Sequence, residues 1–177
     1  MPTPHVIRFT QLSPTSWANG AGTTTEVLRS PATGEFDVRL SIATVGAAAP
    51  FSPLPGIDRA LMVLATEGLD LVVDGSAVSL AQYEVLTFGG EAAVSVAGGP
   101  DGHDLNLMVR HGTGTPVLEA VKVDGRYESP ADTVAIVVLD GSLSALGAPL
   151  AFGDTIFGGT VAIRGTGVVA VASIRPQ

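Results

Sequence analysis

Polar side chains recur at alternating positions in two segments of the sequence that are predicted to be strands. Arg39 and Ser41 lie two residues apart in the first segment, and Asn106 and Met108 lie two residues apart in the second. Because alternate residues of a strand point to the same face, each pair is predicted to share one face. Arginine offers a planar fork that binds a carboxylate, while serine and asparagine add orienting hydrogen bonds. The pattern fits a pocket for a small carboxylate, and it fits equally a structural Arg–Glu or Arg–Asp pair in a partly buried polar core.

A glycine-rich turn follows the single tryptophan, Trp17. This turn, Asn19-Gly-Ala-Gly-Thr-Thr, lacks the Gly-Lys-Ser/Thr ending of a P-loop and the third glycine of a dinucleotide-binding motif. The simpler interpretation is a tight loop that places Trp17 over the mouth of a barrel; the alternative is that Asn19 and backbone N–H groups contact a ligand. With the neighbouring charged candidates, the predicted ligand-binding residues are Trp17, Asn19, Glu26, Arg39, Ser41, Arg59, Asn106 and Met108.

The segment Phe51–Arg59, FSPLPGIDR, precedes an apolar run that is predicted to be a buried strand. Its prolines stiffen the chain, and Gly56 permits a sharp turn. We therefore expect a rigid segment leading into the strand, with Arg59 directed into a cavity and Asp58 holding it in place.

Catalysis by carboxyl groups is the alternative to binding. Glu26 and Asp58 could act as general acid and base in an isomerase or hydrolase, although acids at strand ends more often bind arginine or cap turns. The sequence has no Gly-x-Ser-x-Gly motif and no cysteine nucleophile. The sequence favours binding and assigns no catalytic residue, but it leaves open both this enzyme and a structural partner of a pathway enzyme.

The histidines do not form a metal-binding pattern. The three histidines, His5, His103 and His111, include no His-x-His pair, whereas zinc and iron sites need three or more converging ligands. His103 lies beside Asp101 and Asp104, and a solvated loop is the favoured interpretation of that cluster. We therefore expect neither a metal nor another cofactor.

Composition limits the classes of molecule that the protein is expected to bind. The net charge of −8 disfavours binding to nucleic acid or to an anionic membrane surface. Cysteine is absent, which excludes disulfides and thiolate chemistry. No signal pattern occurs in residues 1–20 and no apolar run reaches the roughly 20 residues that span a bilayer, so a cytoplasmic protein is expected. A homodimer is compatible with this composition.

The pattern of turns predicts an all-β fold. The 22 glycines and 12 prolines are spread along the 177 residues, and no segment of 12 residues shows a helical period. Residues 60–90 and 133–159 repeat the same order of strands and turns, each ending in Phe-Gly-Gly. The repeat predicts two barrel-like halves of jelly-roll type, residues 1–110 and 111–177, packed as one compact unit. Asp140-Gly141 predicts a hairpin turn in the second half.

Four groups of residues within residues 5–110 carry a resemblance to a known family. They are Trp17, Asn19-Gly20, Gly22-Thr23 and Glu26; Arg39-Leu40-Ser41-Ile42-Ala43; Phe51-Ser52 with Pro55-Gly56-Ile57-Asp58-Arg59; and Asp104-Leu105-Asn106-Leu107-Met108. In this order and spacing they resemble the HutD/Ves family of cupin-like proteins. The one departure is Ala21, where the family often has a third glycine.

The resemblance implies a two-cupin β-sandwich and a link to bacterial histidine utilisation or its regulation. It also implies a small acidic metabolite such as formylglutamate as ligand, which favours the pocket over a structural ion pair. The resulting hypothesis is a metal-free protein that senses or sequesters a small carboxylate of histidine catabolism. Arg39 or Arg59 would anchor the carboxylate, and Ser41 and Asn106 would orient it.

Overall fold

Strands make up most of the computed structural model, which describes residues 3–46, 49–97 and 102–176. In chain order they are β1 His5–Ile7, β2 Thr15–Ser16, β3 Gly22–Ser30, β4 Val38–Val45, β5 Ile57–Val63, β6 Leu69–Val73, β7 Ser76–Leu80, β8 Val85–Gly89, β9 Val94–Val96, β10 Gly102–Arg110, β11 Thr115–Glu128, β12 Thr133–Ala145, β13 Ala148–Leu150, β14 Thr155–Phe157 and β15 Ala162–Arg175. Over the same residues the helical structure is a single 3₁₀ turn, Phe9–Gln11. The predicted all-β class is confirmed.

Contacts divide the chain into two compact units. The N-terminal unit is Ser13–Pro116, and the C-terminal unit combines residues 3–12 with Val117–Arg175. The first residues belong to the C-terminal unit because β1 pairs with β14. The internal repeat, and with it the halves at residues 1–110 and 111–177, stays a prediction.

Two sheets build the N-terminal unit. One has the strand order β2-β3-β4-β10-β5-β8, and the other has the order β7-β6-β9. Apolar side chains of both sheets form one core, because burying these faces against each other removes them from water. The fully or almost fully buried members of this core are Ala43, Val45, Ala49, Leu61, Val63, Leu69, Leu71, Val94 and Val96.

Strand β10 brings the predicted site residues together. It lies between β4 and β5, so that Met108 pairs with Arg39 on one side and with Arg59 on the other. One step along the strand, Asn106 pairs with Ser41. Since paired residues of antiparallel strands project to the same face, these five side chains share one face of the larger sheet.

The opposite face of these strands is also buried. Leu40 and Ile42 of β4, and Leu105 and Leu107 of β10, have at most a few per cent of their surface exposed. Ser41 on the polar face is equally buried. The polar face of β4 is therefore an interior surface rather than a solvated one.

Strand β5 begins earlier than the sequence predicts, directly after the turn at Gly56. Gly56 has a φ of +78°, a left-handed conformation that glycine adopts without strain, and its N–H donates to Oε1 of Glu91 at 2.7 Å. Strand β5 then starts at Ile57 instead of residue 60. Asp58 and Arg59 are thus part of the strand and project to opposite faces.

The hairpin predicted at Asp140-Gly141 is wrong. Strand β12 runs through this dipeptide, and its pairing with β15 shifts register between Val138 and Asp140. Gly141 has a φ of +97° and lies so close to the backbone of Thr166 and Gly167 that a β-carbon would not fit. The glycine is required at an irregularity in the pairing of two long strands. Such an irregularity and a hairpin turn can have the same local sequence.

Within residues 3–46, 49–97 and 102–176, no helix is long and apolar enough to span a membrane.

Candidate functional site

A cavity of about 340 Å³, lined by both apolar and polar side chains, opens in the N-terminal unit. Its walls come from β2–β5, from β10 and from the segment that leads into β5. The lining residues are Thr15, Ser16, Trp17, Ala18, Thr24, Arg39, Ser41, Ala43, Phe51, Ser52, Leu54, Arg59, Asp104, Asn106 and Met108.

A network of three buried, hydrogen-bonded polar side chains forms part of the cavity wall. Nη2 of Arg59 donates a hydrogen bond to Oδ1 of Asn106 at 3.0 Å. The Nδ2 group of Asn106 donates in turn to Oδ1 of Asp104. Arg59 is 6 % exposed, Asn106 3 % and Asp104 0 %. The amide of Asn106 therefore connects a buried cation to a buried carboxyl group.

Burial changes the pKa of both ionisable side chains in this network. Removal from water raises the pKa of Asp104 from 3.8 to about 7, against the opposing influence of Arg59 and of the hydrogen bond from Asn106. Burial lowers the pKa of Arg59 to about 10, with Asp104 opposing the change and Arg39 adding to it. Near neutral pH, Arg59 is charged and Asp104 is divided between its two forms.

Two atoms of this hydrogen-bonded network have unused hydrogen-bonding capacity. Nε of Arg59 and Oδ2 of Asp104 are buried and have no hydrogen-bond partner among the described residues. Buried polar atoms nearly always have a hydrogen-bond partner in folded proteins. Two unpartnered atoms in residues that line a cavity therefore indicate a place where a bound molecule would supply the missing hydrogen bonds.

Aromatic rings support the Arg59 guanidinium. Its central carbon lies 4.9 Å from the ring centre of Phe88 and 5.2 Å from that of Phe51. Trp17 meets Phe51 edge to face, with ring centres 6.1 Å apart, and its Nε1–H donates to Oγ1 of Thr24 at 2.8 Å. These contacts fix the orientation of the guanidinium.

Arg39 is the second cation of the cavity. Its Nε donates to Oε2 of Glu26 at 2.7 Å, and Arg29 lies 3.8 Å from the same oxygen. The side chain of Arg39 is 24 % exposed and that of Glu26 38 %. Arg39 uses Nε for this ion pair, and its terminal nitrogens have no hydrogen-bond partner among the described residues.

Six of the eight predicted ligand-binding residues line the cavity: Trp17, Arg39, Ser41, Arg59, Asn106 and Met108. The other two, Asn19 and Glu26, are outside its lining. Asn19 is exposed, and its Oδ1 accepts a hydrogen bond from the N–H of Ala21 at 3.0 Å, which stabilises the glycine-rich turn. Glu26 acts through its ion pair with Arg39.

Asp58 does not hold Arg59 in place. It projects to the other face of β5, where Oδ1 lies 3.2 Å from Nε2 of His111. Asn106 and the two phenylalanine rings hold Arg59 instead. Because Asp58 and Glu26 lie on opposite faces of the sheet, the structure does not bring these two acids together.

Asp104 is the main residue that the sequence interpretation missed. Its neighbours His103 and Asp101 favour a solvated loop, but Asp104 lies within β10 and is fully buried. The alternation Asp104-x-Asn106-x-Met108 was the signal that places it on the cavity face. His103 is exposed, and Asp101 lies outside the described residues. In the part of the chain that the structure describes, no three histidine or acidic side chains converge as a metal site requires.

Comparisons of sequence match a family model along most of the chain and individual relatives along about half of it. The family model HutD matches residues 10–161. Protein Ves of Citrobacter koseri is 35% identical over 100 residues, which are 53% of this chain and 51% of that protein. An uncharacterized 21.2 kDa protein in the hutC 3′ region of Pseudomonas putida is 38% identical over 82 residues, 45% of this chain and 43% of that protein. The chain thus spans about half the length of the curated relatives it matches.

Comparisons of structure extend over the whole fold. A conserved protein of unknown function from Pseudomonas aeruginosa PAO1 has a TM-score of 0.82 at 26% identity, covering 98% of this chain and 100% of that chain. HutD from Pseudomonas fluorescens SBW25 has a TM-score of 0.79 at 27% identity with the same coverage. A cupin 2 conserved barrel domain protein from Leptotrichia buccalis has a TM-score of 0.58 at 11% identity, covering 97% of this chain and 96% of that chain, and it confirms the cupin fold. With the model match over residues 10–161, the chain belongs to the HutD family.

Proposed function

We propose that the cavity binds a small carboxylate of histidine catabolism, with formylglutamate as the first candidate, and that this binding has a regulatory role. The observation that carries the proposal is a buried arginine in the cavity wall, Arg59, whose Nε has no hydrogen-bond partner among the described residues. A second arginine, Arg39, lines the same cavity with its terminal nitrogens available.

The charge of the cavity supports an anionic ligand. Two guanidinium groups line it, whereas Asp104 is the one lining carboxyl group, and burial raises the pKa of that carboxyl to about 7. The charges of these lining groups sum to +2 when Asp104 is protonated and to +1 when it is ionised. Arginine binds carboxylates through paired hydrogen bonds, which are stronger when the site excludes water.

Size and lining support a small ligand. A volume of about 340 Å³ lies at the lower end of the usual range for ligand pockets. The rings of Trp17 and Phe51 and the side chain of Met108 supply apolar walls, and Ser41 and Asn106 supply polar groups. This combination suits a short chain with a terminal carboxylate.

The link to histidine catabolism comes from the family. The relative from Pseudomonas putida is described by its position in the hutC 3′ region, and the chain belongs to the HutD family. We propose binding rather than catalysis because Glu26 lies in an ion pair with Arg39, while Asp58 faces His111 on the other side of the sheet.

Substituting Arg39 tests the proposal. Arg39→Ala removes one charge-assisted contact of a partly exposed side chain and is expected to weaken formylglutamate binding about tenfold. Calorimetric titration measures the dissociation constant. The fluorescence of Trp17, the single tryptophan, gives a second signal from the cavity wall.

Arg126→Ala is the matched control, because Arg126 lies in the C-terminal unit in an exposed pair with Glu128. Its affinity should equal that of the wild-type protein. If wild-type protein binds none of formylglutamate, glutamate, urocanate and histidine, or if Arg39→Ala binds as tightly as wild type, the proposal is wrong.

A further inference from the structure

Asp104 occupies an unusual place for a carboxyl group. It lies on the central strand of the larger sheet, pairs with Ala43 of β4 and Val63 of β5, and is fully buried although it lines the cavity. Its Oδ1 accepts a hydrogen bond from Asn106, and its Oδ2 has no partner among the described residues. A buried carboxylate with one unsatisfied oxygen is costly, and a protonated carboxyl group is less so.

The charged groups that face Asp104 come from three strands. Arg59 on β5 acts on Asp104 directly, Arg39 on β4 lines the same cavity and acts on Arg59, and Glu26 on β3 is paired with Arg39. The three-stranded sheet contributes apolar side chains to this interior, including Leu69 and Leu71. His103 on β10 is exposed and Asp58 on β5 is partly exposed, in contrast to their buried neighbours Asp104 and Arg59 on the cavity face.

An anionic ligand changes the balance of these charges. Without a ligand, burial opposes the ionised form of Asp104, while Arg59 and the hydrogen bond from Asn106 favour it. A ligand carboxylate bound to the arginines cancels part of their charge and places a second negative charge near Asp104. Each of two neighbouring carboxylates raises the pKa of the other, so binding favours protonation of the buried Asp104.

We propose that the cavity takes up a proton together with its carboxylate ligand, and that Asp104 holds this proton. The inference rests on the proposed function, since it requires an anion in the cavity. It assigns Asp104 a regulatory role that couples binding to pH. Asp104 affects the affinity through its charge and does not itself anchor the ligand.

The direction of the coupling follows from the ionisation of the empty site. The pKa of Asp104 is about 7 without ligand, and a bound anion raises it further. Below pH 7 the carboxyl group is already protonated and affinity is highest. Above pH 7 each unit of pH reduces the affinity about tenfold, until the pKa of the bound state is reached.

Calorimetric titration of the wild-type protein tests the proposal with formylglutamate and glutarate as probes, because neither titrates near neutral pH. Two buffers that differ in ionisation enthalpy and lack carboxylate or phosphate report the number of protons exchanged. We expect uptake of about half a proton at pH 7, and a dissociation constant about tenfold larger at pH 8 than at pH 6.

Asp104→Asn should bind the probes with an affinity that is the same at pH 6 and pH 8. His103→Gln and His111→Gln, which remove the histidines of the N-terminal unit, should keep the tenfold change. The wild-type measurement alone decides the matter if Asp104→Asn does not fold.

Each other result contradicts the inference in a different way. Binding without pH dependence or proton exchange overturns it and leaves the proposed function standing. Release of protons on binding would mean that ionised Asp104 accepts an N–H group of the ligand instead. Absence of binding by every probe at both pH values would overturn the proposed function and the inference together.

Discussion

Arg59→Leu is expected to weaken formylglutamate binding about 100-fold, because it removes the buried cation of the cavity wall. Loss of one partner of a desolvated, hydrogen-bonded charge pair commonly costs about 2–5 kcal/mol, more than the loss of the partly exposed Arg39. Leucine retains apolar contact with Phe51 and Phe88, which limits the damage to packing. Calorimetric titration at pH 6 measures the effect while Asp104 is neutral.

Arg59→Lys separates charge from geometry. Lysine keeps a positive charge in the wall but lacks the planar fork that donates to Asn106 and to a ligand at the same time. We expect an intermediate loss of about tenfold. Equal affinity of wild type and Arg59→Leu, with the variant shown to be folded by its melting transition, would mean that the ligand does not contact this wall.

The stability of the wild-type protein relative to Asp104→Asn should fall by about 3 kcal/mol between pH 5 and pH 8. Burial raises the pKa of Asp104 from 3.8 in an unfolded chain to about 7 in the folded protein. The folded state therefore binds the proton more tightly than the unfolded state over this interval. Raising the pH removes that proton, so the free energy of unfolding declines up to about pH 7 and is then constant.

Urea denaturation of both proteins at a series of pH values measures this difference. Arg59 keeps its charge throughout, since its pKa of about 10 lies above the range. Asp124→Asn, at an exposed carboxyl group of the C-terminal unit, should show no such trend against wild type. A constant difference between wild type and Asp104→Asn would mean that Asp104 is not desolvated.

Alternation along strands was sufficient to predict the polar face of the cavity. Arg39 and Ser41 on β4, and Asn106 and Met108 on β10, share a face because the period of a strand is fixed by its geometry. Sequence could not show that these strands are neighbours. That depends on pairing between residues more than 60 positions apart, which the register of β4 with β10 supplies.

Local sequence was misleading where an isolated residue had two plausible environments. Asp104 looked like part of a polar cluster because Asp101 and His103 precede it, yet the strand places it in the interior. Gly141 follows an aspartate as in a hairpin, but close approach of β15 is what requires the glycine. Asn19 lies in an exposed turn outside the cavity lining, and nothing in its local sequence separates this position from one that contacts a ligand.

A crystal structure of the protein with formylglutamate tests the central claim most directly. The account predicts the ligand inside the cavity of the N-terminal unit, with a carboxylate oxygen about 3 Å from a guanidinium nitrogen of Arg59 or Arg39. It also predicts that Trp17 and Met108 contact the rest of the ligand. An empty cavity at a concentration that saturates binding in solution, or a ligand bound elsewhere on the protein, would contradict it.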